Sequence, residues 1–247
     1  MKTLKFGMAA LALTAAVTTF AQETNPDVNI VENETEEEEG AIGWTPVAIG
    51  LLSPVQLPWG MARWDVFGLD LNILYSDAPK MYGLGIGGLA MRTRDGLRGV
   101  EISGLCNWDD KDVYGLRLTL GANIAFGDTY GWDSGCFAYR TGEMHGVDVE
   151  FIGSYQQENF WGVQIGGLVN FTTAQTYGAN LAIGGNISKV AYGLELGGVF
   201  NFTDELHGCQ IGLVNYAREC PWGFQIGLVN IILDNQIKVL PIVNAYF

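Results

Sequence analysis

The sequence predicts an all-β protein: an antiparallel up-and-down β-barrel of about 12 strands built from 15–16-residue single-strand repeats, with a β-solenoid as the rival arrangement. Three observations lead there. Glycines recur at Gly68, Gly83, Gly99, Gly115, Gly131, Gly146, Gly162, Gly178, Gly193, Gly208 and Gly223, always 15 or 16 residues apart. Between them, apolar and polar or small residues alternate with period 2, the pattern of a strand with two unlike faces. The apolar face carries an aromatic residue near each end, as lipid-facing strands do at the two membrane interfaces. With 34 glycines a helical bundle is disfavoured. Seven prolines with no glycine at every third residue exclude collagen.

Taken in order, residues 1–21 read as a secretory signal. Lys2 and Lys5 form the basic start, Met8 to Val17 the short apolar core, and Thr19-Phe20-Ala21 the small-residue cleavage site. Residues 22–42 are an acidic disordered linker, with Glu23, Asp27, Glu32, Glu34 and Glu36 to Glu39 and no base. Residues 43–66 hold Trp44, Trp59, Pro46, Pro54 and Pro58 and read as an entry segment or lumen filler. Residues 67–247 form the repeat domain. The net charge is −14 and no basic face is evident, so nucleic acid is not an expected partner.

One repeat shows the logic. From Tyr114, one face carries Tyr114, Leu116, Leu118, Leu120, Ala122, Ile124 and Phe126, and the other Gly115, Arg117, Thr119, Gly121, Asn123 and Ala125. Residues 161–171 and 192–202 repeat the scheme. The short polar runs at 172–175, 188–189, 203–205 and 218–219 read as turns. In a barrel the ring row Tyr82, Tyr114, Tyr130, Trp161, Tyr177, Tyr192 and Trp222 lies at the membrane interface, which makes outer-membrane lipid the expected partner. The terminal Phe247 resembles the aromatic that outer-membrane barrels present to the barrel-assembly machinery.

Two features favour the solenoid. A repeat of constant length suits equivalent coils better than alternating hairpins. Gly208-Cys209-Gln210-Ile211-Gly212-Leu213-Val214-Asn215 lacks one residue found in the repeat starting at Gly162, which would flip the faces of a continuous strand but is harmless at a coil corner. The asparagines Asn107, Asn123, Asn170, Asn186, Asn201, Asn215 and Asn230 would then form a stacked ladder.

The motif Gly-Φ-Gln-Ile-Gly-Leu-Val-Asn at 208–215 and 223–230 resembles a family of functionally uncharacterised bacterial surface-repeat proteins, known from leptospires and other Gram-negative groups. Ser53 to Leu57, Trp64 to Asn72 and the ending Leu240 to Phe247 are similar to theirs, and the likeness covers about residues 50–247. The middle repeats depart from it, notably Trp132-Asp133-Ser134-Gly135. The resemblance implies a place in the cell envelope and brings no catalytic residues.

Candidate chemistry is sparse. No nucleophile elbow, phosphate loop, HExxH or calcium loop occurs, so no enzyme activity, metal or cofactor is expected. His145 and His207 fall in the ring row and close no metal site by themselves. Glu101, Arg117, Asp148 and Glu195 form a polar row, which Asp133 extends; in a barrel they face the lumen, either paired there or lining a path for small solutes. Cys209 and Cys220 are the candidate disulfide; the alternative is that Cys106, Cys136 and Cys209 serve as small apolar strand residues. The expected function is an outer-membrane or cell-surface protein with a structural role. The alternatives are a narrow pore and an exported β-solenoid acting as a binding or adhesion module.

Overall fold

The computed structural model describes residues 41–246 apart from 54 and 60–62. The expected signal (1–21), most of the acidic linker (22–42) and Phe247 lie outside the described residues. The strands are β1 (Gly43–Leu52), β2 (Val55–Leu57), β3 (Trp64–Ala78), β4 (Met81–Gly87), β5 (Ala90–Thr93), β6 (Leu97–Ser103), β7 (Cys106–Asp109), β8 (Val113–Thr119), β9 (Ala122–Ala125), β10 (Thr129–Arg140), β11 (Met144–Gln156), β12 (Phe160–Gly166), β13 (Val169–Ala182), β14 (Gly185–Gly197), β15 (Phe200–Ile211), β16 (Val214–Ile232) and β17 (Val239–Ala245).

These strands overturn the antiparallel barrel. From β3 to β16 every pairing is parallel, and each residue sits beside its equivalent one repeat later: Tyr114 beside Tyr130, Gly115 beside Gly131, Arg117 beside Asp133. The described residues form a parallel β-solenoid of about ten turns. Each coil has a long and a short strand. In one coil these are β8 and β9, joined at a corner by Leu120-Gly121, and Phe126-Gly127-Asp128 leads on into β10. Parallel neighbours need a crossover of a dozen or more residues, and the circuit of one 15–16-residue coil supplies it.

The alternation itself survives. Residues 114–126, read from sequence as one long strand, are two strands that keep their inside-outside order around the corner. The one-residue deletion is absorbed where the solenoid argument required. Gly212-Leu213 makes the corner, and Phe200 pairs with Val214 and Ile211 with Ile226 on either side of it. The polar runs expected as hairpin turns are instead the second edge of the coils. The register shifts there, between Thr172 and Gln175 and between Glu205 and His207.

The glycine row has a steric cause. Gly115, Gly131 and Gly146 have φ of 156°, 146° and 145°. A Cβ on any of them would lie 1.8–1.9 Å from the carbonyl oxygen of the equivalent glycine one coil earlier. Only glycine permits both this backbone and this approach.

Residues 43–66 are not a lumen filler. β1 pairs in parallel with β3 and antiparallel with β2. At the other end β17 turns back antiparallel on β16, with Pro241 in it, so the last coil does not offer the register on which another coil could stack.

Candidate functional site

The molecule has two chemically distinct zones, a closed and mainly polar interior and an outer surface that is apolar along the long strands and corners and charged along one edge. Inside, one apolar row runs beside the polar edge, with Val66, Met81, Leu97, Val113, Met144, Phe160 and Leu206 all buried. Each such side chain contributes about 1.5–3 kcal/mol. The other interior rows are mainly polar, with Ala78, Met91, Ala125, Ala217 and Ile232 among the exceptions. Glu101, Arg117, Asp148 and Glu195 stand on one row inside the coils and are buried, as is Asp133. The lumen of the expected barrel is therefore replaced by a packed interior, and the narrow-pore reading falls with the barrel.

Arg117, Asp133 and Asp148 of that row form ion pairs, along the row and across to the short strands. Arg117 donates to Asp133 through Nε at 2.8 Å and through Nη2, and to Asp109 through Nη1 at 2.8 Å. Arg140, on the short-strand side, donates to Asp133 at 2.6 and 2.9 Å and to Asp148 at 2.6 Å. Asp133 and Asp148 are register neighbours of like charge, and Arg140 bridges them. Burial opposes ionisation of Asp133, but Arg117 and Arg140 outweigh it and hold its carboxyl below the usual range. Glu101 and Glu150 lack such partners. Burial, and then Asp109, pushes Glu101 well up; burial, and then Asp148, pushes Glu150 up to about 9. Glu150 therefore stays protonated at neutral pH.

Amide ladders fill the later coils. Asn170 donates to Asn186 at 3.0 Å, Asn186 to Asn201 at 2.9 Å, Asn201 to Asn215 at 2.8 Å and Asn215 to Asn230 at 2.8 Å. Gln225 donates to Gln210, and Gln210 to Glu195, each at 2.8 Å. Asn107 and Asn123 form a separate short ladder, because Ala138 interrupts the row. The glutamine row is visible in sequence as the residue two places after each glycine, but its stacking was not anticipated.

Outside, the ring row stacks. Tyr114 lies 4.9 Å from Tyr130, Trp161 3.7 Å from Tyr177, and Tyr177 4.7 Å from Tyr192; Tyr82 stacks on Phe67 at 4.6 Å. His145 stacks between Tyr130 and Trp161, and His207 stacks on Tyr192 with Trp222 tilted beyond it. Among the described residues no group of three or more metal-ligating side chains converges. Cys209 and Cys220 are both free thiols; Cys209 is half-buried on the outer side, while Cys220 is buried in the interior row.

A second outer feature escaped the sequence reading. At the corners one large apolar residue projects outward in every coil from β3 on but that of β10, where Cys136 takes the place: Ile73, Leu89, Leu105, Leu120, Phe151, Leu168, Ile183, Val199, Leu213 and Leu228. Leu120 is 84% exposed, Phe151 80% and Ile183 75%. The signal was present as a hydrophobe beside glycine at one-repeat spacing, but treating the repeat as one straight strand hid the corner.

No family model, no curated protein and no solved structure matches this chain.

Proposed function

We propose that the chain is an exported β-solenoid module of the cell envelope that works by binding through its outer surface and not by catalysis. One observation carries this reading. The buried charges and amides are engaged with one another inside the coils, whereas the outward surface is apolar and repeats in register over about ten turns. Extended repetitive surfaces of this kind are what solenoids use for recognition. The basic start, short apolar core and small-residue site of residues 1–21 support export. The likeness of 208–215 and 223–230 to surface-repeat proteins supports the envelope.

The test is expression in a Gram-negative host of the whole chain and of a version lacking residues 1–21. The whole chain should leave the cytoplasm and lose the mass of residues 1–21, while the shortened one stays behind. Recovery of the whole chain from the cytoplasm at full mass would overturn the proposal.

A further inference from the structure

Around each coil, the outer residues change character in a fixed order. The polar edge carries Asp95, Asp110-Lys111-Asp112, Asp128, Glu143, Glu158, Lys189, Asp204-Glu205, Arg218-Glu219 and Asp234. Next along the long strand comes the ring row. Beyond it, toward the corner, stand outward residues such as Ile86, Ile102, Trp132, Ile165, Leu196 and Ile226, all exposed. The corner residues from Ile73 to Leu228 end the series. The ring row includes one exposed cation, Arg98, held over the Tyr82 and Tyr114 rings at the headgroup side of the band. From the ring row on to that corner, and to the start of the short strand, no acidic or basic side chain points outward; Glu150 lies there but is buried.

We infer that this corner is a lipid-inserting edge, which enters one leaflet of a phospholipid bilayer with the ring row at headgroup level and the acidic edge in water. The inference rests on the envelope reading above and names the partner of its outer surface. Three arguments select hydrocarbon over another occupant. The charge-free band matches a phase that excludes charge, and every acidic turn lies at the opposite edge. The rings stand where the apolar band begins, the level at which tyrosine and tryptophan settle in membranes. Six residues of strand separate Tyr114 from Leu120, about 20 Å at roughly 3.3 Å each. That is comparable with one leaflet, whose share of the hydrocarbon core is about 15 Å with the headgroup region beyond it. Finally, the apolar band wraps around a convex corner, with Leu118 on one side and Ala122 on the other. A second copy or a folded partner covers one flat side; fluid acyl chains cover both. Burying ten such corner side chains is ample for stable association, since each contributes about 1.5–3 kcal/mol when removed from water.

The test is flotation of the purified full chain with neutral phosphatidylcholine vesicles at 0.15 M and 1 M salt. We expect flotation at both, because the inserting edge carries no charge. The variant L120D/L168D/I183D changes three exposed positions and should float at least tenfold less, with unchanged circular dichroism. The variant D128N/D204N, at the opposite edge, should float like the parent. Brominated lipids should quench the parent's tryptophan emission, because Trp132 belongs to the inserted band and Trp161 and Trp222 stand at its headgroup border. Three results would each overturn the inference: a folded, exported chain that does not float; flotation that 1 M salt abolishes; or self-association in vesicle-free buffer that the triple variant disperses while the parent still fails to float. In each case export can still be observed, so the envelope reading is tested separately.

Discussion

The coils from Glu101 to Glu150 and those from Gln164 to Asn230 share one backbone and one outer pattern, yet fill the same interior slots differently. The first set uses ions: Arg117 and Arg140 interleaved with Asp109, Asp133 and Asp148. The second uses amides, unchanged from coil to coil along the ladder Asn170 to Asn230, with Glu195 as the one carboxyl in the row beside it. An amide is both donor and acceptor, so identical residues satisfy each other when stacked in register, as in other parallel stacks. A carboxylate cannot stack on a carboxylate without a cation between them. The ionic coils are therefore individual, each needing particular neighbours, whereas the amide coils are interchangeable. This difference coincides with the motif's regularity, which is high at 208–230 and lost around Trp132-Asp133-Ser134-Gly135.

The largest effect should be common to both regions and so sets the baseline. Gly131→Ala and Gly193→Ala place a Cβ 1.8 and 2.2 Å from a carbonyl oxygen in the coil before, in a backbone conformation that L-residues avoid. Both should lose more than about 4 kcal/mol, a loss exceptional for a single substitution. Denaturant unfolding would measure it; a mild effect in one region alone would show that its coils are not stacked as closely as the other's.

The regions should then separate. Arg117→Met removes the cation shared by Asp109 and Asp133 and leaves two buried carboxylates short of a partner. The expected cost is about 3–5 kcal/mol. Adding Asp109→Asn should recover part of it, since the pair no longer needs the charge. Asn201→Ala leaves the Asn215 Oδ1 and the Ile211 carbonyl without their donor and Asn186 with only its bond to the Asn180 carbonyl, a smaller penalty of about 1–3 kcal/mol. Equal losses for Arg117→Met and Asn201→Ala would remove the distinction between ionic and amide coils.

Much of this arrangement is legible in the sequence, and the part that is not has a physical reason. Gly115, Tyr114 and Arg117 declare their row, their spacing and their side of the strand. They do not declare strand direction, because period-2 alternation is the same whether the next strand runs parallel or antiparallel. What discriminates is the equality of repeat length and the missing residue at Gly212-Leu213, both properties of corners. Aromatic residues at both ends of 114–126 pointed to two membrane interfaces, but Tyr114 and Phe126 lie on two strands that meet at Leu120. The polar row Glu101, Arg117, Asp148 and Glu195 was visible. Arg140, which ties Asp133 to Asp148, was not, because it belongs to the short strand and reaches the row only across the interior.

The last contrast concerns protons: both regions hold a buried carboxyl with a raised pKa, Glu150 in the ionic coils and Glu195 among the amides, and the ionic coils hold more of them. Glu150, in the ionic set, is pushed from an ordinary 4.5 up to about 9, by burial first and by Asp148 second. Asp109 is raised to about 6, chiefly by burial. A carboxyl whose pKa is higher in the folded than in the unfolded chain is bound more tightly by its proton when folded. Its stabilising contribution is complete below the unfolded pKa and is lost as pH rises through the folded one. Stability should therefore fall as pH rises from about 5 to 9, and the melting temperature followed across that range would show it. Asp133 works the other way only in acid, where its depressed carboxyl begins to protonate. Glu150→Gln should flatten the decline above pH 6, because a glutamine keeps the acceptor for Asn123 without a proton to lose. Asn201→Ala should lower the whole melting curve without changing its slope against pH. If Glu150→Gln leaves that slope untouched, the charge that makes the central coils pH-sensitive resides elsewhere in the cluster, and Glu101 is the next residue to replace.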